Sequence, residues 1–316
     1  MTASRLIVSR VLAALVTLLL VAIAIFLMID ILPGDVAARI LGREATPEAV
    51  ARLRETLQLN DPVVVRFLRW IGGALQGDLG MSLSSRRPVA EIVAPRLVNT
   101  FYLTLAALAV YLPLLLLLGL VQATNRDRPV DHALSAVSLV LLSIPDFLIG
   151  TLLLVLFVLV IPVLPAVSHV DPSTPPGAYA RALVMPALTL GLVITVHTVR
   201  MLRDNLIEVL DSDYIRMTRL KGLTRARILW RHALPNAIVP TLNIIALNLV
   251  YLIGGVVIVE KVFAFPGFGS LLVDSIQLQD YPLIEATVLI AAAVYIFANL
   301  AADVATIALN PRLRTA

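Results

Sequence analysis

The 316-residue chain has no cysteine, which excludes a disulfide framework, thiolate metal ligation and thiol catalysis. It is also short of charge: Asp, Glu, Lys and Arg make up 15% of it, against roughly a quarter in soluble domains. Its only lysines are Lys221 and Lys261, and neither lies in a G-x-x-x-x-G-K-[ST] loop, so no nucleotide-phosphate site of that kind is encoded. The four histidines, His132, His169, His197 and His232, lack the i, i+4 pairing that would suggest zinc. No metal or cofactor is expected in this chain. No Ser/His/Asp set can be assigned to one site, which argues against a hydrolase, and no internal repeat supports a carrier built of inverted halves. What is abundant is apolar sequence: 59% of residues are hydrophobic and the mean hydropathy is +0.93. This composition belongs to a polytopic, all-α membrane protein. The net charge of +4 rests on basic residues that are almost all arginine and spread over the loops, which fits membrane topology better than nucleic-acid binding.

The first apolar run, Val11 to Ile29, has nineteen uncharged residues behind Arg5 and Arg10, or roughly 28 Å of helix. It is longer than the core of a signal peptide and reads as a retained span. Further spans are expected at 101–121, about 136–162, 183–199, 237–259 and 283–302. The third needs an argument, because Ala133 to Val167 holds only one charge, Asp146, over thirty-five residues, about 52 Å if helical. It is either one long helix or two hinged at Pro145-Asp146. Counting Lys and Arg by loop decides between them, since seven spans would export the eight-base segment between Arg200 and Arg231, against the positive-inside rule. Six spans with both termini cytoplasmic, and Pro145 within the third helix, are the expectation. The chain then divides into an N-terminal segment and first span (1–30), an outside helical loop (31–99), a five-helix core (100–310) and a cytoplasmic tail (311–316).

Two segments read as soluble. In the outside loop, Thr46 is an N-cap candidate ahead of Pro47, and Val50, Leu53 and Leu57 form a stripe. A second helix is expected to be capped by Asp61, with Pro62 at its first position, and to pass Phe67 and Trp70 before stopping near Gly72 or Gly77. This part reads either as a lid or as a surface for a soluble partner. The segment 200–235 is helical by pattern, broken at Gly222, and resumes at Thr224. Within it Tyr214, Met217 and Leu220 recur every third residue among Arg216, Arg219 and Lys221. Such a helix docks onto a partner or lies on anionic lipid.

Gly222 is followed after eleven residues by Leu234-Pro235, which resembles the cytoplasmic EAA loop of ABC importer permeases, E-A-A-x3-G-x9-I-x-L-P. Arg216-Met217-Thr218 stands where Glu-Ala-Ala would be and His232 where Ile would be. Asp213-Tyr214-Ile215-Arg216 and Lys221-Gly222-Leu223 are similar to the form in dipeptide and oligopeptide permeases. The resemblance extends through Leu32-Pro33-Gly34-Asp35, Ala45-Thr46-Pro47-Glu48, Gly77-Asp78-Leu79-Gly80-Met81-Ser82 and Ser143-Ile144-Pro145-Asp146-Phe147. It continues in Glu260-Lys261-Val262-Phe263, Pro266-Gly267-Phe268-Gly269 and Asp280-Tyr281-Pro282. The chain thus resembles the first of the two unlike permease subunits of dipeptide/oligopeptide/nickel importers of the bacterial inner membrane.

That resemblance implies a type I importer fold, a heterodimer with a homologous permease, two cytoplasmic ATPase domains that bind ATP and Mg, and an extracytoplasmic substrate-binding protein. The permease itself would be non-catalytic. It would couple to the ATPases through Asp213, Tyr214, Arg216, Met217, Arg219, Leu220, Lys221, Gly222, Leu234 and Pro235. Candidates for pathway or gate are Pro145, Asp146, Phe147, Pro266, Gly267 and Gly269. Asp146 either lines the pathway or caps the helix after Pro145, and the 266–269 segment is either part of a gate or a tight turn. Di- or oligopeptides are the expected cargo, with nickel chelates, glutathione or haem as alternatives. A lone proton-coupled carrier using Asp146 and Glu285 is the competing class, although Glu285 also reads as an interfacial acid.

Overall fold

The computed structural model describes residues 3–31, 41, 45–56, 60–171, 173–254 and 256–309. In chain order its helices are α1 (Ala3–Ile31), α2 (Pro47–Thr56), α3 (Val63–Leu75), α4 (Val89–Thr124), α5 (Pro129–Leu142) and α6 (Asp146–Leu154), which a π-helical turn continues over Val155–Val160. There follow α7 (Pro176–Asp211), α8 (Asp213–Leu220), α9 (Arg225–Ile228), a π-helical segment Leu229–Ala233, α10 (Leu234–Gly254), α11 (Val257–Val262), α12 (Phe268–Gln277) and α13 (Tyr281–Leu309). Among the described residues the only β feature is an isolated bridge between Met81 and Pro88. The expected Leu32 to Asp35 turn, Leu57 and the 311–316 tail lie outside the described residues.

Among the described residues four helices are long and apolar enough to cross a membrane: Val8–Ile31, Val89–Thr124, Pro176–Asp211 and Tyr281–Ala301. One further candidate among the described residues is a bent pair, Pro129–Leu142 with Asp146–Val160, whose axes turn by 105°. The single continuous helix expected through Pro145 is therefore not formed. Pro145 disfavours helical geometry at Ile144 and cannot donate a backbone N–H, so α5 ends at Leu142 and Pro145 becomes the N-cap of α6. The expected span 237–259 also overruns a boundary, since α10 stops at Gly254 and α11 is separate.

Other helices outgrow their apolar runs. α7 covers thirty-six residues because its polar last turns are held by packing, with Leu202 and Leu206 fully buried. Pro186 lies inside α7 and Pro240 inside α10. The N-cap at Thr46 forms as expected, its hydroxyl accepting from the Ala49 amide at 3.2 Å. Asp61 does not cap: α3 begins behind Pro62, and the Asp61 carboxylate pairs with Arg69 at 2.6 Å. α3 also runs through Gly72 and ends before Gly77, whose φ is +85°.

The chain forms two compact units. The larger is built around Val98–Ser270. Its core begins with one face of α4, where Leu103, Ala107, Tyr111 and Leu115 recur every fourth residue with no exposure. α4 meets α7 closely enough that a Cβ on Gly191 would lie 2.7 Å from Val110 and one on Gly119 2.8 Å from Leu202. Small residues at such a crossing bring two backbones together where no hydrophobic effect drives helices to associate.

The other unit comprises Ser4–Leu97 with Leu271–Phe297. There Phe26 of α1 stacks edge-on against Phe67, 5.5 Å between ring centroids, and lies 5.7 Å from Trp70 of α3. Asp30 pairs with Arg66 at 2.6 Å. Asp280 is fully buried and accepts from the Ser82 and Ser84 hydroxyls and from the amides of Leu83 and Ser84. These bonds tie two short sequence motifs nearly two hundred residues apart.

Candidate functional site

The segment expected to couple to partners resolves into a short helix, α8, between the long α7 and the four-residue α9. Ser212 ends α7 and caps α8, its hydroxyl accepting from the Ile215 amide at 3.4 Å, and Asp213 complements the helix N-terminus. At the other end Gly222 adopts φ +74° and donates to the Arg219 carbonyl at 3.0 Å. Only glycine takes that conformation without strain, and a side chain there would meet nothing within 4 Å, so the requirement is for backbone and not for space.

α8 presents two faces. Ile215 and Thr218 point inward, 0% and 7% exposed, whereas Tyr214, Met217 and Leu220 are 51%, 57% and 78% exposed. Asp213, Arg216, Arg219 and Lys221 are exposed around that apolar stripe. The Tyr214 hydroxyl lies 2.7 Å from Nδ1 of His232 on the π-helical segment, which braces α8 from across the Gly222 turn. The break at Ser212 was not expected. Its signal in the sequence is the Asp211-Ser212-Asp213 run, three residues that favour caps and turns.

Leu234 and Pro235 do not share the exposed face of α8. Leu234 belongs to the hydrophobic core, and Pro235 follows the π-helical segment into α10. A proline there would clash with the carbonyl of Arg231 in a regular helix, and the wider π turn relieves that clash. The Asn236 amide donates to the His232 carbonyl at 2.6 Å, satisfying an acceptor at the same break. Nearby, Arg203 of α7 grips the buried Asp131 of α5 through two nitrogens, and Arg126 pairs with Asp211 at 2.6 Å.

The pathway candidates fall into two places. At the α5–α6 bend, Asp146 does not cap its helix; its Oδ2 accepts from the Tyr251 hydroxyl of α10 at 2.7 Å. Phe147 beside it is 49% exposed. Pro266, Gly267 and Gly269 instead form a tight turn over Glu260, a fully buried carboxylate that sequence reasoning left without a role. Glu260 accepts from the Thr100 hydroxyl and the Ser270 amide, both at 2.7 Å, and the Pro266 carbonyl accepts from Asn99 at 2.8 Å. A Cβ on Gly267 would fall 1.8 Å from Glu260 Oε1, so glycine is dictated there by close approach. The available signal was an acid, Glu260, directly behind the apolar run that ends at Val259.

A further polar cluster escaped sequence reasoning altogether. Tyr111 of α4 donates to the Thr198 hydroxyl of α7 at 3.1 Å, and Asn248 of α10 donates to both, at 3.2 and 2.6 Å. Tyr111 and Asn248 each stand in an apolar run and Thr198 near the polar end of another, so only the packing reveals them as partners. Among the described residues no group of three or more His, Asp or Glu side chains is placed to hold a metal ion.

Residues 115–315 match the family described as "Binding-protein-dependent transport system inner membrane component", and residues 3–104 match the one described as "Binding-prot-dependent transport system membrane comp, N-term". Similar full-length proteins include the glutathione transport system permease protein GsiC of Salmonella paratyphi A, 37% identical over 98% of both chains. The GsiC protein of Escherichia coli K12 is 35% identical over the same share. The chain therefore belongs to the binding-protein-dependent transport family, as a multi-pass inner-membrane permease of the dipeptide/oligopeptide/nickel class of ABC importers.

Proposed function

We propose that this permease forms one half of the translocation pathway for a peptide-like solute and receives the power stroke of cytoplasmic ATPases through α8. The observation that carries this reading is the exposed stripe of Tyr214, Met217 and Leu220 on a short helix that ends at a positive-φ glycine. A solvated helix would not expose three large apolar side chains in a row on one face, and a stripe of this kind asks for a protein groove. The missing EAA glutamate leaves Arg216 on this surface, so the contact to the ATPase is more basic than the motif would suggest.

In this reading the chain crosses the membrane six times with both termini in the cytoplasm, α10 supplying the fifth crossing and the bent α5–α6 pair the third. It pairs with a homologous second permease and receives cargo from an extracytoplasmic binding protein. Two ATPase domains supply ATP and Mg chemistry that this chain does not perform. Glutathione, itself a tripeptide, fits both the peptide class of cargo and the solute for which the similar permeases are named, and it is the first solute to assay.

The test is purification of the chain with its native partners, reconstitution into vesicles, and measurement of ATP-driven glutathione uptake beside a Gly222→Val variant. Recovery of a second permease and an ATPase, with uptake lost in the variant, supports the reading. Uptake by the chain alone, or normal uptake by the variant, refutes it.

A further inference from the structure

We propose that Asp146 and Tyr251 form a docking point for the ammonium group of the transported solute. This rests on the reading of the chain as a permease for a peptide-like cargo, and it assigns one specificity-determining contact within that pathway. Three observations carry it. First, Asp146 stands within an otherwise uncharged thirty-five-residue apolar stretch, where a carboxylate is costly unless it meets water or a partner. Second, among the described residues it forms no ion pair; its one hydrogen bond is from the Tyr251 phenol at 2.7 Å. A phenol satisfies one lone pair and does not neutralise the charge, and Oδ1 keeps its capacity to accept. Third, the pair is open: Tyr251 is 41% and Phe147 49% exposed. The Tyr111–Thr198–Asn248 cluster, to which α10 contributes Asn248, is closed by its own hydrogen bonds instead, and Tyr111 and Thr198 have no exposure.

The bend at Ser143–Pro145 explains how the carboxylate reaches this position. A continuous helix would carry Asp146 around with its turn, whereas the 105° break sets it at the start of a new helix facing α10. An alkylammonium fits such a site because it carries three donors, enough to bind Asp146 and the Tyr251 oxygen at once. A free carboxylate end of the same solute would be repelled, so the pair also orients the cargo.

The experiment uses the complete transporter, with its partner permease, ATPases and binding protein, in vesicles. The probes are glutathione and glutathione acetylated on its amino group. Asp146→Asn is expected to cut glutathione import about tenfold, the scale of one lost hydrogen bond to a charged group, and Asp146→Glu to restore most of it. Import of the acetylated probe is expected to be the same in wild type and Asp146→Asn. Equal losses for both probes, or no loss for either, overturn the proposal.

A second measurement needs no cargo and exploits the absence of cysteine from this chain. In the same complex, Phe147→Cys is labelled with cationic and anionic methanethiosulfonates, with Asp146 present or replaced by Asn. Preference for the cationic reagent that disappears with Asp146→Asn supports the docking point. Absence of labelling, or equal rates throughout, overturns it. If wild-type vesicles import no glutathione while hydrolysing ATP, the cargo reading fails, and the labelling alone decides for or against an ammonium site.

Discussion

Gly222 is dictated by backbone conformation and Gly267 by lack of space, so the expected consequences of replacing them differ. At Gly222 the positive φ leaves open space around the absent side chain, so Gly222→Ala should cost roughly 1–2 kcal/mol of local strain and weaken coupling. The β-branched Gly222→Val should abolish ATP-driven uptake with insertion preserved, as read by membrane fractionation beside the transport assay. At Gly267 the added Cβ would overlap Glu260 Oε1, and Gly267→Ala should lower the melting temperature of the purified chain through a loss of about 3 kcal/mol or more. A melting temperature unchanged by that variant would show that Glu260 does not anchor the turn. Asp280 supplies a pH dependence. Burial alone would raise its pKa, but the bonds from Ser82, Ser84 and the Leu83 and Ser84 amides outweigh that and hold it below the ordinary carboxylate value. A depressed folded-state pKa contributes stability that is complete above the unfolded pKa, about 3.9, and is lost as pH falls through the folded value. The stability gap between wild type and Asp280→Asn should therefore be full at pH 7 and close as pH drops below about 4; a gap independent of pH would refute the carboxylate's role.

At the scale of the element, α8 separates two kinds of importance on eight residues. Ile215→Ala removes a side chain with 0% exposure and should destabilise the chain itself by about 2–4 kcal/mol, seen as a fall in detergent-solubilised melting temperature. Met217→Asp or Leu220→Asp, on the exposed face, should leave that temperature within about 1 °C, the scale of a neutral surface change, and should instead reduce co-purification of the ATPase. If the exposed-face variants lower the melting temperature as much as Ile215→Ala, the stripe is core and not a docking surface. The Tyr214–His232 contact belongs to the same element: it spans the Gly222 turn, so the angle at which α8 is presented depends on α9 and the π segment as much as on α8.

At the scale of the whole molecule, the chain brings helices, turns and an exposed apolar stripe on α8. As a permease of the ABC importer class it belongs to an assembly of several subunits. Gentle purification should return this permease with a second permease and ATPase subunits in fixed ratio, and its ATPase rate should rise when loaded binding protein is added. A homogeneous single chain that still transports after reconstitution would exclude the importer assembly.

Composition and apolar run length were enough to establish a helical membrane protein, because backbone groups in lipid have to be satisfied within a helix and each crossing needs its own apolar stretch. The Gly222 turn was equally readable, since its glycine stands at a fixed distance from Leu234-Pro235 and no other residue adopts that backbone freely. What only the tertiary structure decided were the contacts between distant residues and the lengths of helices. The α4–α7 packing carried α7 well past its apolar run, and the break at Pro145 won over the continuous helix that charge counting favoured. Asp146 found Tyr251 rather than its own helix amides, Asp280 found Ser82 and Ser84, and Glu260 found Thr100 and Ser270. Each of these partnerships depends on which faces of separate helices meet, a property of the packed chain that local propensity and periodicity do not encode.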